Sequence, residues 1–169
     1  MEMYRNKREI SCGAILYTDE GDDVKVLLLE QDNAHYKRTG SEAKKVIIDI
    51  GPSGRHNGEK ETYEETAMRE IYEETGLKGL RLDKGFEFDL KYEFDTKDEE
   101  GKDVHVIKTR RYWCAKLPDD FLKNIRISPE HKRYWMEPIE DAIRMNELED
   151  SKKDALMHFK KYLADHSSR

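Results

Sequence analysis

Between Glu61 and Leu77 the chain reads ETYEETAMREIYEETGL, and within it Arg69, Glu70, Glu73 and Glu74 set one guanidinium and three carboxylates in little more than one helical turn. At about 100° per residue, Glu70, Glu73 and Glu74 share an arc about 100° wide, and Arg69 precedes Glu73 by one turn, at ion-pair spacing. Three carboxylates on one stripe repel each other. A divalent cation relieves that repulsion, and hard oxygen donors with room for water suit magnesium, with manganese as the alternative, better than zinc. Such a cation would neutralise an anionic phosphoryl group and lower the pKa of a bound water, leaving one of these carboxylates, or another from a loop, to act as base. The competing reading is a solvated acidic helix face, which a chain with 37 Asp and Glu residues can carry.

The elements around this stretch follow from hydrophobic period and turn chemistry. Ile10 to Tyr17 is an apolar run of strand length, and Val24 to Leu29 returns after the turn residues DEGDD. A polar segment with Gly40 in its middle separates them from the short apolar run Val46 to Ile50, and a Gly- and Pro-rich loop from Gly51 to Gly58 leads into the acidic helix. Gly76 is placed to end that helix, because glycine accepts the left-handed conformation of a C-cap. Phe86, Phe88, Leu90, Tyr92 and Phe94 alternate with polar residues as a half-buried strand requires, and Val104 to Leu117 forms its partner after the tip DTKDEEGKD. Short strands are expected near Arg126 to Ser128 and Tyr134 to Met136. One helix is expected after Pro138, and another from about Ser151 to Ala164 with Ala155, Leu156, Phe159 and Leu163 at helical spacing.

A length of 169 residues suits one domain spanning 1–169 with a real core. Charged residues make up 40 % of the chain and no apolar run approaches the roughly 20 residues of a membrane span, so a cytoplasmic protein with no membrane partner is expected. The net charge of -6 argues against an extended nucleic-acid surface. Cys12 and Cys114 lie in strand-like apolar runs without metal-ligand spacing, and read as small buried hydrophobes.

The order Glu61, seven residues, Arg69-Glu70, apolar Ile71, one residue, Glu73-Glu74, one residue, Gly76, apolar Leu77 resembles the signature box of the Nudix hydrolases. The box normally opens on Gly where this chain has Arg55, flanked by Gly54 and Gly58. The resemblance implies an α/β (α+β) fold, an αβα sandwich around a mixed β-sheet, and hydrolysis of a nucleoside diphosphate linked to another group, with divalent metal on the box helix. Within the family the chain resembles most the asymmetrical dinucleoside tetraphosphate hydrolases, through REISCGAILY with KVLLLEQ, GFEFDLKY with KTRRYWCAKL, and RISPEHKRYWMEPIEDA. By that resemblance Glu130 would complete the metal or base set, Lys108 would contact polyphosphate and Tyr134 would stack on adenine. His35 with Tyr36 would match a His-aromatic pair before the box loop, and Ser53 stands in the substrate site where the related hydrolases commonly place a lysine that grips phosphate; His56 and Arg55 would face phosphates from the glycine loop or merely face water. The same residues read blandly as a solvated strand face at Lys108, a loop charge at Glu130 and rim packing at Tyr134. The implied reaction is cleavage of diadenosine tetraphosphate, a small-molecule nucleotide, to ATP and AMP. The alternatives are ADP-ribose, a nucleotide sugar or an RNA 5′ end as substrate, or a catalytically silent binding module of the same fold.

Overall fold

A computed structural model describes residues 5–21, 23–33 and 45–166. His35, Tyr36 and most of the polar segment after them lie outside the described residues.

Strand β1 (Arg5–Glu20) is the axis of the molecule. Its first part runs parallel to β6 (Asp103–Lys116), from Arg5 beside Val104 to Tyr17 beside Lys116, while its last residues turn back antiparallel into β2 (Asp23–Gln31). The second long hairpin pairs β5 (Leu82–Lys97) with β6, and β2 is flanked by β3 (Ile48–Asp49) and β7 (His131–Pro138). A short β4 (Ser53–Arg55) pairs with Ser11 to Gly13 of β1. The result is a mixed seven-stranded sheet in the order β3-β2-β1-β6-β5, with β4 on β1 and β7 on β2.

The strands at the centre are apolar on both faces, so both faces must be covered. Successive residues of β1 point opposite ways. Ala14 and Leu16 meet Ile71 of α1 (Tyr63–Thr75). Ile15 and Tyr17 meet Ala155, Leu156 and Phe159 of α4 (Asp150–His166), with Ile139 and Ala142 of α3 (Ile139–Ile143) alongside. This is the expected αβα sandwich. Burying a side chain such as Phe159 or Ile71 contributes about 1.5–3 kcal/mol, and the two layers bury many of them. Cys12 and Cys114 are free and buried. No helix among the described residues is long and apolar enough to cross a membrane.

Two local expectations fail. A one-turn helix, α2 (Phe121–Asn124), interrupts the loop after β6, and residues 126–128 form no strand. Their backbone caps α1 instead: Arg126 N–H donates to Thr75 O (2.7 Å) and Ser128 N–H to Glu74 O (3.1 Å). The last carbonyls of a helix lack intrahelical donors, and this loop supplies them.

Candidate active site on the acidic helix

Helix α1 begins and ends where its own sequence directs. Thr62 Oγ1 accepts from Glu65 N–H (3.1 Å) while the Glu65 carboxylate accepts from Thr62 N–H (2.8 Å), a reciprocal capping box. Gly76 closes the helix at φ 76°, its N–H donating to Tyr72 O. The acidic arc straddles the edge of the packed face. Glu74 is 3 % exposed, whereas the Glu73 side chain is 53 % exposed and pairs with Arg69.

Arg69 is saturated. Nε and one terminal nitrogen grip both oxygens of Glu61 (3.0 and 2.7 Å), the other terminal nitrogen donates to Glu70 (2.8 Å) and Glu73 (3.2 Å), and Arg55 O accepts a further bond (3.0 Å). The guanidinium therefore ties the box loop to the helix. Arg55 itself is exposed and forms an ion pair with Glu9 (3.3 Å).

Glu70 and Glu74 meet against the box loop. The Glu70 carboxyl lies so close to Gly54 that a Cβ there would sit 2.0 Å from its Cδ, and Ser53 N–H donates to Glu74 Oε2 (3.0 Å). Burial above all, then the neighbouring Glu70 carboxyl, drives the Glu74 carboxyl far above the ordinary carboxylate range. Glu70 is raised by burial too, against the pull of its bonds to Glu74 and Arg69. Asp49 and Glu130 add negative potential at Glu74.

Beneath this pair lies a polar cluster. His131 Nε2 is 3.0 Å from Asp49 Oδ2, and its Nδ1 is 3.6 Å from Glu74 Oε1. Asp49 also accepts from Gln31 (3.1 Å) and faces Lys152 Nζ (3.4 Å). Burial would raise the Asp49 carboxyl, but the His131 bond and the Lys152 and Arg110 charges hold it at about 2. The sequence alone assigned no role to Asp49, His131 or Lys152. Signals were present: Asp49 interrupts the apolar run VIIDI, and Lys152 stands one turn before Leu156 on the apolar stripe of α4.

The remaining residues divide. Glu130 follows the loop that caps α1, and its carbonyl accepts from Asp32 N–H (2.9 Å). Lys108 is half-buried on β6 between Glu9 and Tyr92, and burial, then Arg110, lowers its pKa. Tyr134 is half-buried on β7 against the α1-side core, while Trp135 packs on the opposite core under the Arg133 guanidinium.

Among the described residues no three carboxylate, imidazole or thiol groups converge to hold a metal ion as they stand. The donor set nonetheless fits one. The half-buried Glu70 carboxyl and the buried Glu74 carboxyl lie together and are both raised, although Arg69 reaches Glu70, and hard anionic oxygens of this kind are what magnesium or manganese take. Gly54→Ala tests that placement: the new Cβ should push the Glu70 carboxylate aside, lowering Mn²⁺ affinity about tenfold or more while thermal unfolding barely moves. Unchanged Mn²⁺ binding would detach Glu70 from the site.

A mixed sheet between helical layers thus presents the paired glutamates Glu70 and Glu74 from a capped helix against a glycine loop. Residues 7–159 match the NUDIX domain, and the chain belongs to that family. It is a hydrolase of anhydrides in phosphorus-containing substrates, and the family generally works with divalent metal ions. The chain is 28 % identical over 144 residues to the asymmetrical bis(5′-nucleosyl)-tetraphosphatases of Mus musculus and Rattus norvegicus, covering 84 % of this chain and 87 % of each relative. The fold is similar to a C. elegans Ap4A hydrolase binary complex (TM-score 0.68, 22 % identity, 93 % of this chain and 98 % of that one). It is also similar to the NUDIX domain of Shewanella oneidensis NrtR complexed with ADP ribose (TM-score 0.55, 14 % identity, 96 % and 90 %).

Proposed function

We propose that the protein hydrolyses a nucleoside polyphosphate, diadenosine tetraphosphate by preference, to ATP and AMP in the cytoplasm with magnesium as cofactor. The observation that carries this reading is the pairing of half-buried Glu70 with buried Glu74 against Ser53 and Gly54, in a chain similar over most of its length to asymmetrical tetraphosphatases. Glu70, Glu73 and Glu74, with Glu130 from the capping loop, would hold the metal, which supplies charge neutralisation of the phosphoryl group and a more acidic water. A carboxylate of the set takes the proton of the attacking water, assistance worth roughly 10²–10⁴ in rate. Lys108, beside Arg110 and Arg55, offers charge to the phosphate chain, and the half-buried Tyr134 ring offers a face to a base. Ser53 contributes its backbone to Glu74 in place of a cationic side chain, and Arg55 borders the same loop; His35 stands in this reading on sequence resemblance alone.

The experiment is a substrate panel with product analysis in heavy-oxygen water. Diadenosine tetraphosphate should give ATP plus AMP with label in one product, whereas two ADP molecules would mean symmetrical cleavage. Tyr134→Ala should weaken binding by about 1–3 kcal/mol and blunt discrimination between bases. Lys108→Ala should weaken it comparably and blunt discrimination between long and short phosphate chains. The second reading, ADP-ribose, draws on the fold shared with the NrtR domain bound to that ligand. Faster turnover of ADP-ribose than of diadenosine tetraphosphate at equal subsaturating concentrations would replace the first reading with the second.

A further inference from the structure

His131 stands at the junction of elements from far apart in the sequence. Its ring is buried, with a side chain 1 % exposed, and its backbone N–H is fixed to Ser128 O (3.1 Å) in the loop that caps α1. A carboxylate can only accept, so the 3.0 Å contact with Asp49 puts a ring hydrogen on Nε2. Asp49 cannot readily move. It accepts from Gln31 Nε2 (3.1 Å), and Lys152 Nζ, in a residue 2 % exposed, reaches it at 3.4 Å while donating to Ile48 O (2.7 Å). Strands β2 and β3 and helix α4 thus clamp one edge of the imidazole. The other edge faces Glu74. Nδ1 is buried without a hydrogen-bond partner, 3.6 Å from Glu74 Oε1, a gap just beyond hydrogen-bond range. Buried polar atoms are rarely left unmatched; a ring between two carboxylates matches both only with a hydrogen on each nitrogen, and a carboxylate rotation of a few tenths of an ångström then brings Glu74 within reach of Nδ1–H.

We infer that His131 is a positioning residue: held by Asp49 at Nε2, it orients the Glu74 carboxylate through Nδ1 so that Glu74 and Glu70 face the box loop together. This rests on the reading of Glu74 as a metal-holding group. Groups behind a metal-binding carboxylate commonly set its orientation, and losing them costs roughly 10–100-fold in metal affinity. Lys152 and Asp49 then belong to the same support, which makes α4, on the far side of the sheet, part of the site's scaffold.

The two edges of the ring can be separated by substitution. In His131→Asn the amide lies near the position of Nδ1, and in His131→Gln near that of Nε2. Mn²⁺ affinity, measured by electron paramagnetic resonance, and thermal unfolding without metal are the readouts, with Glu74→Gln as reference. The Gln variant should bind Mn²⁺ about tenfold or more weakly and the Asn variant within about threefold of the parent, with similar unfolding temperatures for the two. A Gln variant that binds Mn²⁺ as tightly as the Asn variant overturns the assignment. If Glu74→Gln itself leaves Mn²⁺ binding unchanged, the metal-site reading fails and this inference goes with it. If Glu74→Gln abolishes binding and neither His131 variant weakens it, only this inference fails. Should either variant not fold, the parent protein decides: the His131 Nδ1 resonance should shift on adding Mg²⁺, and a resonance that stays put overturns the assignment.

Discussion

Glu74→Gln should retain the fold and lose metal-dependent turnover by about 10²-fold or more. The amide has the shape of the carboxyl: its oxygen can accept from Ser53 N–H as Glu74 Oε2 does at 3.0 Å, and its NH₂ can donate to Glu70. What is lost is the charge. In the metal-free protein that charge is a burden, because burial and Glu70 raise the Glu74 carboxyl far above its unfolded value. The folded state therefore binds a proton that the unfolded state releases near pH 4.5. The resulting stability is complete below that pH and is lost as pH rises through the raised folded value. Glu74→Gln removes this dependence, so at neutral pH and without metal the variant should unfold about 2–4 °C higher for each kcal/mol relieved. Added Mg²⁺ should stabilise the parent and leave the variant where it was. Calorimetry with and without metal, beside hydrolysis rates, checks both halves. A well-folded variant with near-normal turnover at saturating Mg²⁺ would strike Glu74 from the catalytic set.

Arg69→Met should be the most damaging change to the box as a structure. The methionine keeps part of the apolar stem but none of the bonds to Glu61, Glu70, Glu73 and Arg55 O. Since the arginine side chain is a third exposed, the loss falls below that of a fully buried pair, and about 1–3 kcal/mol is expected. The acid limb of the stability curve should change as well. Hydrogen bonds from Arg69 first, then Thr66, hold the Glu61 carboxyl down from 4.5 to about 2, so its contribution is present above pH 4.5 and lost as pH falls towards 2. In Arg69→Met that limb should flatten. Arg69→Lys should resemble the methionine variant, since one ammonium cannot span the acceptors that a planar fork reaches. A lysine variant with normal melting temperature and normal Mn²⁺ affinity, but much weaker substrate binding, would instead place Arg69 on the substrate.

The sequence by itself determined the elements whose causes are local. The α1 helix is bounded by Thr62 and Glu65 at one end and Gly76 at the other, and the alternation from Phe86 to Phe94 gave a strand. The Arg69–Glu73 pair, one turn apart, is also local. Helical phase placed Glu70, Glu73 and Glu74 together, yet only tertiary packing decided that Glu74 turns into the protein and Glu73 out to solvent, because the arc crosses the boundary of the buried face. The segment 126–128 was expected as a short strand, but its backbone donors went to the carbonyls ending α1, partners that a local pattern does not contain. His131, Asp49 and Lys152 were the least legible. Each is separated from its partner by 82 or 103 positions, and a buried charge survives only where the fold brings its counter-charge within reach.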